Sequence, residues 1–364
     1  MSDIISNKNK KIVVAMSGGV DSSTVAALLV DQGYEVIGMT MQLYDHGAML
    51  KKKGACCAGL DIYDAKNVAE QLNIPHYVLN YESNFKSSVM DSFADSYMRG
   101  ETPVPCITCN QTVKFRDMLK MAQDIGAGAI ATGHYVRRVI KNDEIHLCRG
   151  LDYQKDQSYF LFTTTKEQLS YLRFPLGEYT KEETRNLARK YNLSVSEKAD
   201  SQDICFVPDG KYADIVSRLR PGALDPGKII HINGEVLGTH QGIINYTIGQ
   251  RKGLGVTYAH PLYVIKIDPA TKEVVVGEEE HLSKKSFIIK QVNWLIDTKN
   301  NEIEVEVKTR SAQELVPATI KLLQNNKAEV ILREFSRAIT PGQACVIYDN
   351  DRVLGGGWIE KVIA

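Results

Sequence analysis

The stretch KIVVAMSGGVDSS, residues 11–23, decides the fold of the N-terminal half of the chain. An apolar run is followed by two glycines and then by a helical pattern that starts at Asp21 and ends at Gly33. This order predicts a buried strand, a tight turn and a helix. The apolar run YEVIGMTM, residues 34–41, predicts the next strand. A strand, helix and strand in this order are typical of a parallel sheet covered by helices.

The turn between this strand and helix has the chemistry of a phosphate cradle. Gly18 and Gly19 let backbone N–H groups turn toward an anion, and the helix N-terminus adds its positive dipole end. Hydroxyl donors come from Ser17, Ser22 and Ser23. The string lacks the lysine of a Walker A loop and is not G-x-G-x-x-G. The competing interpretation is an ordinary glycine turn. Asp21 is either a helix cap or a ligand of a Mg²⁺ ion, and the sequence does not separate these two roles.

Farther along the chain, the same alternation continues and then stops. Helical patterns and strands follow at 61–72, 76–80, 84–98, 110–123 and 127–133, and Thr180 with Glu183 predicts a capping box for a helix ending near Tyr191. Beyond about Arg220, IIHINGEVLG predicts a hairpin with a type I′ turn at Asn233-Gly234, and YVIKIDPATKEVVVGE predicts a second hairpin. Strand-like runs fill the remainder of the chain after Phe287.

These patterns predict an α/β fold class with an N-terminal parallel-sheet domain, a small central β-rich domain and a C-terminal antiparallel barrel or sandwich, of which we adopt the β-barrel. The predicted boundaries are 1–208, 209–282 and 283–364. A length of 364 residues agrees with two or three domains at about 150 residues each.

Composition excludes several classes of protein. Hydrophobic residues make up 43% of the chain and charged residues 24%, which argues against disorder. No apolar run approaches the roughly 18 residues of a membrane span, and the polar N-terminus lacks a signal-peptide core, so we predict a cytoplasmic protein without a membrane partner. Charge balances overall, but residues 107–141 carry six Lys/Arg against two acidic residues. Such a stretch is either a solvated face or a surface for a polyanion.

The seven cysteines are too few for a disulfide framework in a chain of this length. Cys106 and Cys109 form a C-x-x-C in TPVPCITCN, residues 102–110, just before a helical pattern. Cys109 is therefore predicted at a helix N-terminus, where the dipole favours the thiolate. The pair alone fits a redox couple, half of a metal site or coincidence, and Cys205 alone fits a buried small hydrophobe.

Eight ordered motifs together carry a resemblance across nearly the whole chain: SGGVDSS (17–23), TPVPCITCN (102–110), ATGHY (131–135), KDQSYFL (155–161), FPLG (174–177), DSQDICF (200–206), YTIGQRKGLG (246–255) and RAITPGQACVIYD (337–349). With them the chain resembles the tRNA-specific 2-thiouridylase family, whose catalytic domain is a PP-loop ATP pyrophosphatase. The resemblance implies ATP-dependent 2-thiolation of the wobble uridine of tRNA. The uridine 2-oxygen would be adenylated with release of pyrophosphate, and sulfur would then replace it, giving 2-thiouridine and AMP.

The resemblance also assigns residues. The catalytic positions are Cys205, as carrier of a persulfide, Cys109, as its partner nucleophile and potential disulfide partner, and Cys106. ATP contacts fall on Ala15, Met16, Ser17, Gly18, Gly19, Val20, Asp21, Ser22, Met41 and Gly133, and tRNA contacts fall on His134, Lys155, Asp156, Gln157, Arg310, Ser311 and Gln343. ATP and Mg²⁺ are the implied cofactors, with no dedicated metal site. The implied partners are the tRNA anticodon loop and a sulfur-carrier protein or cysteine desulfurase as persulfide donor.

Two positions depart from the family pattern. Cys106 stands where the family commonly has Asp, and Ser311 stands where it commonly has Tyr. We interpret Cys106 as a residue that shapes the uridine pocket beside Pro105. Three alternatives stay open at this point: an iron–sulfur cluster held by Cys106, Cys109 and Cys205, another PP-loop adenylating synthetase, and a non-catalytic tRNA-binding protein.

Overall fold

The computed structural model of the protein describes residues 10–44, 57–200, 203–207, 210–298 and 300–363. The polar N-terminal segment and residues 201–202 of the DSQDICF motif lie outside this description. The chain divides into two compact units. The first unit comprises Met1–Ser88, Ile107–Phe206 and Asp351–Val353, and the second comprises Val89–Cys106, Val207–Asn350 and Leu354–Ala364. No helix within the described ranges is long and apolar enough to cross a membrane.

The regular elements have the following bounds. The α-helices are α1 (Val20–Asp31), α2 (Cys57–Gln71), α3 (Glu82–Phe85), α4 (Asp91–Met98), α5 (Pro105–Cys109), α6 (Met118–Asp124), α7 (Lys166–Tyr171), α8 (Lys181–Lys190) and α9 (Tyr212–Leu219). The first strands are β1 (Lys11–Ala15), β2 (Glu35–Gln42), β3 (His76–Asn80), β4 (Ala129–Ala131), β5 (Val136–Lys141), β6 (Glu144–Arg149) and β7 (Leu172–Arg173). The later strands are β8 (Gly227–His231), β9 (Val236–His240), β10 (Tyr263–Asp268), β11 (Glu273–Gly277), β12 (Ser283–Trp294), β13 (Glu302–Lys308), β14 (Val316–Leu323), β15 (Lys327–Arg337), β16 (Ala344–Asp349) and β17 (Arg352–Val362).

A five-stranded parallel sheet forms the centre of the first unit, in the order β3–β2–β1–β4–β7. Ile12, Val13 and Val14 of β1 are all fully buried, so both faces of this strand are covered. Helix α1 adds Val25 and Leu29, also fully buried, to the same core. The predicted order of strand, turn, helix and strand is confirmed. A strand buried on both faces needs a continuous apolar run, and the sequence of β1 is such a run.

The first unit also contains a hairpin that the sequence analysis did not predict. Strands β5 and β6 pair antiparallel, with Lys141 opposite Glu144. The two residues between them, Asn142 and Asp143, both have positive φ, at 52° and 61°. A two-residue loop with both central residues in this region is a type I′ turn, and Asn and Asp tolerate that conformation.

The predicted type I′ turn at Asn233-Gly234 is wrong, although the hairpin formed by β8 and β9 is present. Gly234 has φ 95°, whereas Asn233 is not among the residues with positive φ. The Gly234 N–H donates to the carbonyl of His231, and the His231 N–H donates to the carbonyl of Glu235. The connection therefore combines an ordinary turn with one left-handed glycine. This arrangement needs more residues than the two-residue loop of a type I′ turn.

The second unit begins with a small sheet in the order β10–β11–β8–β9. Helix α9 packs on helix α4, and Arg220 just after α9 pairs with Asp91 at 2.8 Å and Asp95 at 2.6 Å. Residues 89–106 thus belong to the second unit by their contacts, while the predicted division at 208/209 would place them with the first. The three-domain boundaries stay a prediction.

A closed antiparallel barrel completes the second unit, in the order β12–β15–β14–β13–β16–β17, with β12 also pairing β17. Phe287 of β12 lies opposite Val330 of β15 and Val362 of β17, and it is fully buried. The predicted fold class is confirmed by the parallel sheet and this barrel. The closing strand β12 itself begins before the strand-like runs that the sequence analysis recognised.

Replacing Phe287 with alanine should destabilise the barrel by about 3–5 kcal/mol, because it leaves a cavity at the seam where the barrel closes. Phe335→Ala is the matched control, since Phe335 is 69% exposed in the same barrel. Urea unfolding followed by circular dichroism measures both variants. Equal midpoints for Phe287→Ala and the wild-type protein would contradict this account of the barrel.

Candidate functional site

The loop between β1 and α1 is held in a fixed shape by its own hydrogen bonds. The backbone N–H of Ser17 donates to Ser22 Oγ at 3.0 Å, and Ser22 Oγ donates to the Gly19 carbonyl at 3.3 Å. Gly133, just beyond β4, lies against the same loop: a Cβ there would be 2.9 Å from the Ser22 nitrogen. Since β1 and β4 are parallel neighbours, their carboxyl ends meet at this edge, where such sheets bind ligands.

Gly18 needs to be glycine for two separate reasons. Its φ of +73° lies in the left-handed region, and a Cβ there would be 2.1 Å from the carbonyl oxygen of Asp61. Lys198 connects the two segments. Its Nζ donates to the Gly18 carbonyl at 2.9 Å and to the carboxylates of Asp61 and Asp64 at 2.7 and 2.5 Å. Burial opposes the charge of this lysine, but its hydrogen bonds to the two carboxylates outweigh burial and raise the pKa of Lys198.

The carboxylate of Asp21 is an electrostatic centre and not a helix cap. The N-cap residue of α1 is Gly19, which makes no side-chain cap bond. Lys181 Nζ instead donates to both carboxylate oxygens of Asp21, at 2.7 and 2.9 Å, and the Tyr135 hydroxyl donates to one of them at 2.8 Å. Burial and the neighbouring Asp21 charge both raise the pKa of Tyr135, so its hydroxyl keeps its proton and remains a donor.

Lys181 also reaches Asp200, which is the start of the DSQDICF motif. Its Nζ lies 2.8 Å from Asp200 Oδ1, while Lys155 and Arg185 each lie 3.0 Å from the same carboxylate. Burial opposes the charge of Asp200, but hydrogen bonds from Lys181 and Lys155 lower its pKa overall. A chain of opposite charges thus runs from Asp21 through Lys181 and Asp200 to Lys155.

Sequence reasoning missed both Lys181 and Lys198. The capping box of Thr180 and Glu183 is present as predicted, and it fixes the start of α8 at Lys181. The capping box does not indicate which carboxylate a lysine in the first helical turn will contact. Lys198 lies outside a regular helix or strand, so no periodic pattern marks it.

Three residues predicted to contact tRNA lie in a well-packed part of the first unit: Lys155, Asp156 and Gln157. Gln157 accepts the backbone N–H of Tyr135 at 2.9 Å. The Asp156 side chain is 1% exposed and accepts bonds from the backbone of Gly150 and from the hydroxyl of Ser158. Lys155 is the member of this run that keeps a half-exposed cation, at 41% side-chain exposure. Its ammonium is paired with Asp200 at 3.0 Å, and its role as a tRNA contact stays a prediction.

His134 is a neutral side chain in this structure. Burial, together with the positive charge of Lys114, lowers its pKa to about 3. Its Nδ1 lies 2.8 Å from the Thr132 hydroxyl, and its ring meets Phe115 and Phe174 edge-on. A tRNA contact by His134 would therefore be a hydrogen bond or a ring contact rather than a charge pair.

The remaining residues predicted to contact tRNA lie in the second unit. Gln343 Nε2 donates to the Thr102 carbonyl at 2.9 Å, so the TPGQ segment lies against the start of TPVPCITCN. Arg310 is exposed and donates to the Ala338 carbonyl at 2.9 Å. Ser311 beside it is exposed. The seven predicted residues are thus divided between the two units.

The predicted position of Cys109 at a helix N-terminus is wrong. Helix α5 already begins at Pro105, and Cys109 is its last residue before the π-helical run Asn110–Asp117. Proline is favoured in the first helical turn because its missing N–H is not needed there, which explains the earlier start. Cys106 therefore occupies the first turn and is exposed, while Cys109 is 7% exposed. The helix dipole does not favour a thiolate at Cys109.

Cys205 is exposed in a turn, next to a buried anchor. Phe206 is 2% exposed and packs edge-on against Phe85 at 5.7 Å. The alternative interpretation of Cys205 as a buried small hydrophobe is therefore wrong. Within the part of the chain that the structure describes, no three His, Cys, Asp or Glu side chains are grouped so that they could hold a metal ion. Asp21 is the carboxylate beside the loop that would hold a Mg²⁺ ion arriving with nucleotide phosphates, and Lys181 bonds both of its oxygens in this structure.

Together these features define the first unit as a PP-loop nucleotide-binding domain. A family model described as "tRNA methyl transferase HUP domain" matches residues 10–209. Models described as "tRNA methyl transferase PRC-barrel domain" and "Aminomethyltransferase beta-barrel domain" match 215–278 and 284–359.

The curated relatives give the family. The proteins named "tRNA-specific 2-thiouridylase MnmA" from Rickettsia felis and Rickettsia akari are each 60% identical to this chain over 361 residues, which is 99% of both partners. The chain belongs to the tRNA-specific 2-thiouridylase family, and the resemblance is confirmed. The solved structure of a 4-thiouridine synthetase in complex with RNA and ATP is 17% identical to this chain. The match covers 59% of this chain and 52% of that chain, with a TM-score of 0.34. A similarity this low carries no functional argument.

Replacing Gly18 with alanine should abolish ATP binding, because the new Cβ collides with the Asp61 backbone and displaces the loop. Gly33→Ala is the matched control: Gly33 has φ +79°, and a Cβ there meets nothing within 4 Å. It should cost about 1–2 kcal/mol of stability through backbone strain and leave ATP binding intact. Isothermal titration calorimetry with ATP measures both, and wild-type affinity in Gly18→Ala would refute the assignment of this loop.

Proposed function

We propose that this protein catalyses the ATP-dependent 2-thiolation of the wobble uridine in the anticodon loop of tRNA. The observation that carries the proposal is the chain of charges from Asp21 to Lys155, because it connects the nucleotide loop with a residue predicted to contact tRNA. Membership of the 2-thiouridylase family supports the reaction class. A cytoplasmic location and a persulfide donor protein remain predictions.

The first half of the proposed reaction makes the uridine oxygen a leaving group. The 2-oxygen of uridine attacks the α-phosphorus of ATP, the bond between the α- and β-phosphates breaks, and pyrophosphate leaves. Backbone N–H groups of the loop around Gly18 would hold the phosphates at the start of α1. Lys181 would balance part of the negative charge that develops as pyrophosphate departs. Mg²⁺, where bound with ATP, would add charge neutralisation next to Asp21.

The second half transfers sulfur. The terminal sulfur of a persulfide on Cys205 attacks C2 of the adenylated uridine, and AMP leaves with the former 2-oxygen. The thiolate of Cys109 then attacks the Cys205 sulfur, which releases the new sulfur on the base and leaves a disulfide between Cys109 and Cys205. A dithiol reductant must restore the two thiols, and a persulfide donor must reload Cys205. Holding the sulfur on an exposed side chain gives it the proximity that free hydrosulfide lacks.

Mass spectrometry of tRNA nucleosides tests the function directly. Unmodified tRNA is incubated with protein, ATP, Mg²⁺, a persulfide donor and a dithiol. We expect the mass change of one oxygen replaced by sulfur, located at the wobble uridine. A methyl group added to the tRNA, or no change with an active donor, would refute the proposal.

Replacing Cys205 with serine should stop formation of 2-thiouridine and leave pyrophosphate release intact, because the sulfur carrier is lost while the nucleotide loop is unchanged. Cys148→Ala is the matched control. Burial raises the pKa of the Cys148 thiol, so this cysteine stays protonated and unreactive. Pyrophosphate release and nucleoside analysis on the same samples separate the two halves. A Cys205→Ser protein that thiolates at the wild-type rate would show that another residue carries the sulfur.

Cys106 should shape the uridine pocket rather than transfer sulfur. We expect Cys106→Asp to retain thiolation and Cys106→Ala to slow it roughly tenfold, about 1.4 kcal/mol in activation free energy. Single-turnover thiolation measures both. A Cys106→Ala protein as inactive as Cys109→Ala, with adenylation intact, would make Cys106 a direct participant. If Cys106 instead holds an iron–sulfur cluster with Cys109 and Cys205, anaerobically purified protein would show visible absorption.

A further inference from the structure

The motif YTIGQRKGLG, residues 246–255, has no part in the reaction proposed above. In the second unit it follows a short 3₁₀ turn, Ile243–Asn245, and leads toward β10. The loop 251–262 that contains its second half lines an open depression of about 510 Å³. Arg251, Tyr258 and His260 are among the residues that line it.

Apolar anchors hold this loop in place. Leu254 and Leu262 are 6% and 5% exposed. The Tyr258 ring stacks on His231 of β8, with ring centres 4.8 Å apart and an angle of 23°. The wall of this depression is therefore fixed from both ends and from the middle, which lowers the entropy cost of binding a ligand there.

The Lys and Arg residues of the loop are not balanced by acidic residues within it. Residues 246–262 contain Arg251 and Lys252 but no Asp or Glu. Both side chains are exposed, and neither forms an ion pair with another residue in the described parts of the chain. Several other basic residues of the second unit are paired with carboxylates, among them Arg220 with Asp91, Lys266 with Asp268 and Lys272 with Asp225. The loop thus presents two uncompensated positive charges.

The loop starts beside a residue already predicted to contact tRNA. Gly249 packs so closely on Ala338 that a Cβ on it would lie 3.0 Å from the Ala338 Cβ and 3.9 Å from Arg310 Nη2. Arg310 in turn donates to the Ala338 carbonyl at 2.9 Å. The backbone that leads to Arg251 and Lys252 therefore passes beside Arg310 within one unit.

We propose that the loop 250–262, with Arg251 and Lys252, is a further binding surface for tRNA backbone phosphates, continuous with Arg310. Phosphate contacts supply most of the sequence-independent affinity for nucleic acid and fix its position. Exposed basic residues without carboxylate partners on a fixed loop suit that role. The inference rests on the proposed function, because it takes tRNA as the ligand.

The test measures the affinity of Arg251→Ala and Lys252→Ala for fluorescently labelled, unmodified tRNA at several salt concentrations. Each variant should bind about 3- to 10-fold more weakly, and the slope of log affinity against log salt should fall by roughly 0.7–0.9 per lost phosphate contact. Arg251→Lys should restore most of the affinity, and ATP binding should be unchanged. Lys228→Ala, which removes an exposed lysine of β8, is the matched control and should stay near the wild-type value.

Wild-type affinity and salt slope in both loop variants would overturn the inference, as would an equal loss in Lys228→Ala. Melting temperatures of all variants exclude misfolding as a cause. Nucleoside analysis of the wild-type protein keeps the two proposals separate. If the wild-type protein thiolates tRNA while the loop variants bind normally, the loop surface alone is refuted. If the wild-type protein does not thiolate tRNA, the proposed function fails whatever the loop does.

Discussion

Lys181 lies between two carboxylates, those of Asp21 and Asp200, and the proposed chemistry depends on this arrangement. Asp21 belongs to the first turn of α1 beside the nucleotide loop, and Asp200 begins the segment that leads to Cys205. The lysine side chain is 12% exposed, so its attraction to both partners is screened only weakly by water. Removing it would take the lysine partner from the Asp21 carboxylate, while Asp200 would keep Lys155 and Arg185.

A second lysine fixes the other side of the nucleotide loop. Lys198 connects the Gly18 carbonyl to the carboxylates at the start of α2, and Gly18 lies against the Asp61 backbone. The loop is therefore held before any nucleotide arrives. A bound polyphosphate would compete with Asp21 for Lys181, because both are anions in reach of the same cation. That competition would link binding of the nucleotide to the contact between Lys181 and Asp200.

Strongly patterned parts of the sequence were predictable. The apolar run of β1, the glycine turn and α1 follow from local physics, and the capping box at Thr180 fixes the start of α8. The antiparallel C-terminal domain was predictable from the succession of strand-like runs after Phe287. The N-terminal position predicted for Cys109 failed because Pro105 starts the helix four residues earlier. The type I′ turn was assigned to Asn233-Gly234 and missed at Asn142-Asp143, since the length of the connection, not the dipeptide alone, decides the turn.

Contacts between residues distant in sequence were not predictable. A single lysine at a helix start carries no sign of a carboxylate 160 residues earlier in the chain. The same is true of the contact between Gln343 and Thr102, and of Gly249 beside Arg310. Such pairs form because the fold brings their elements together, and no periodic pattern records them. The resemblance supplied the predicted roles, whereas the structure supplied Lys181 and Lys198.

The proposed reaction depends on which phosphate bond of ATP breaks, and on whether tRNA must be present. ATP labelled in the α- or γ-phosphate is incubated with the protein, with and without unmodified tRNA. We expect AMP and pyrophosphate in the presence of tRNA, little product without it, and none with Asp21→Ala. Release of inorganic phosphate from the γ-position, or pyrophosphate release that does not depend on tRNA, would contradict the proposed reaction.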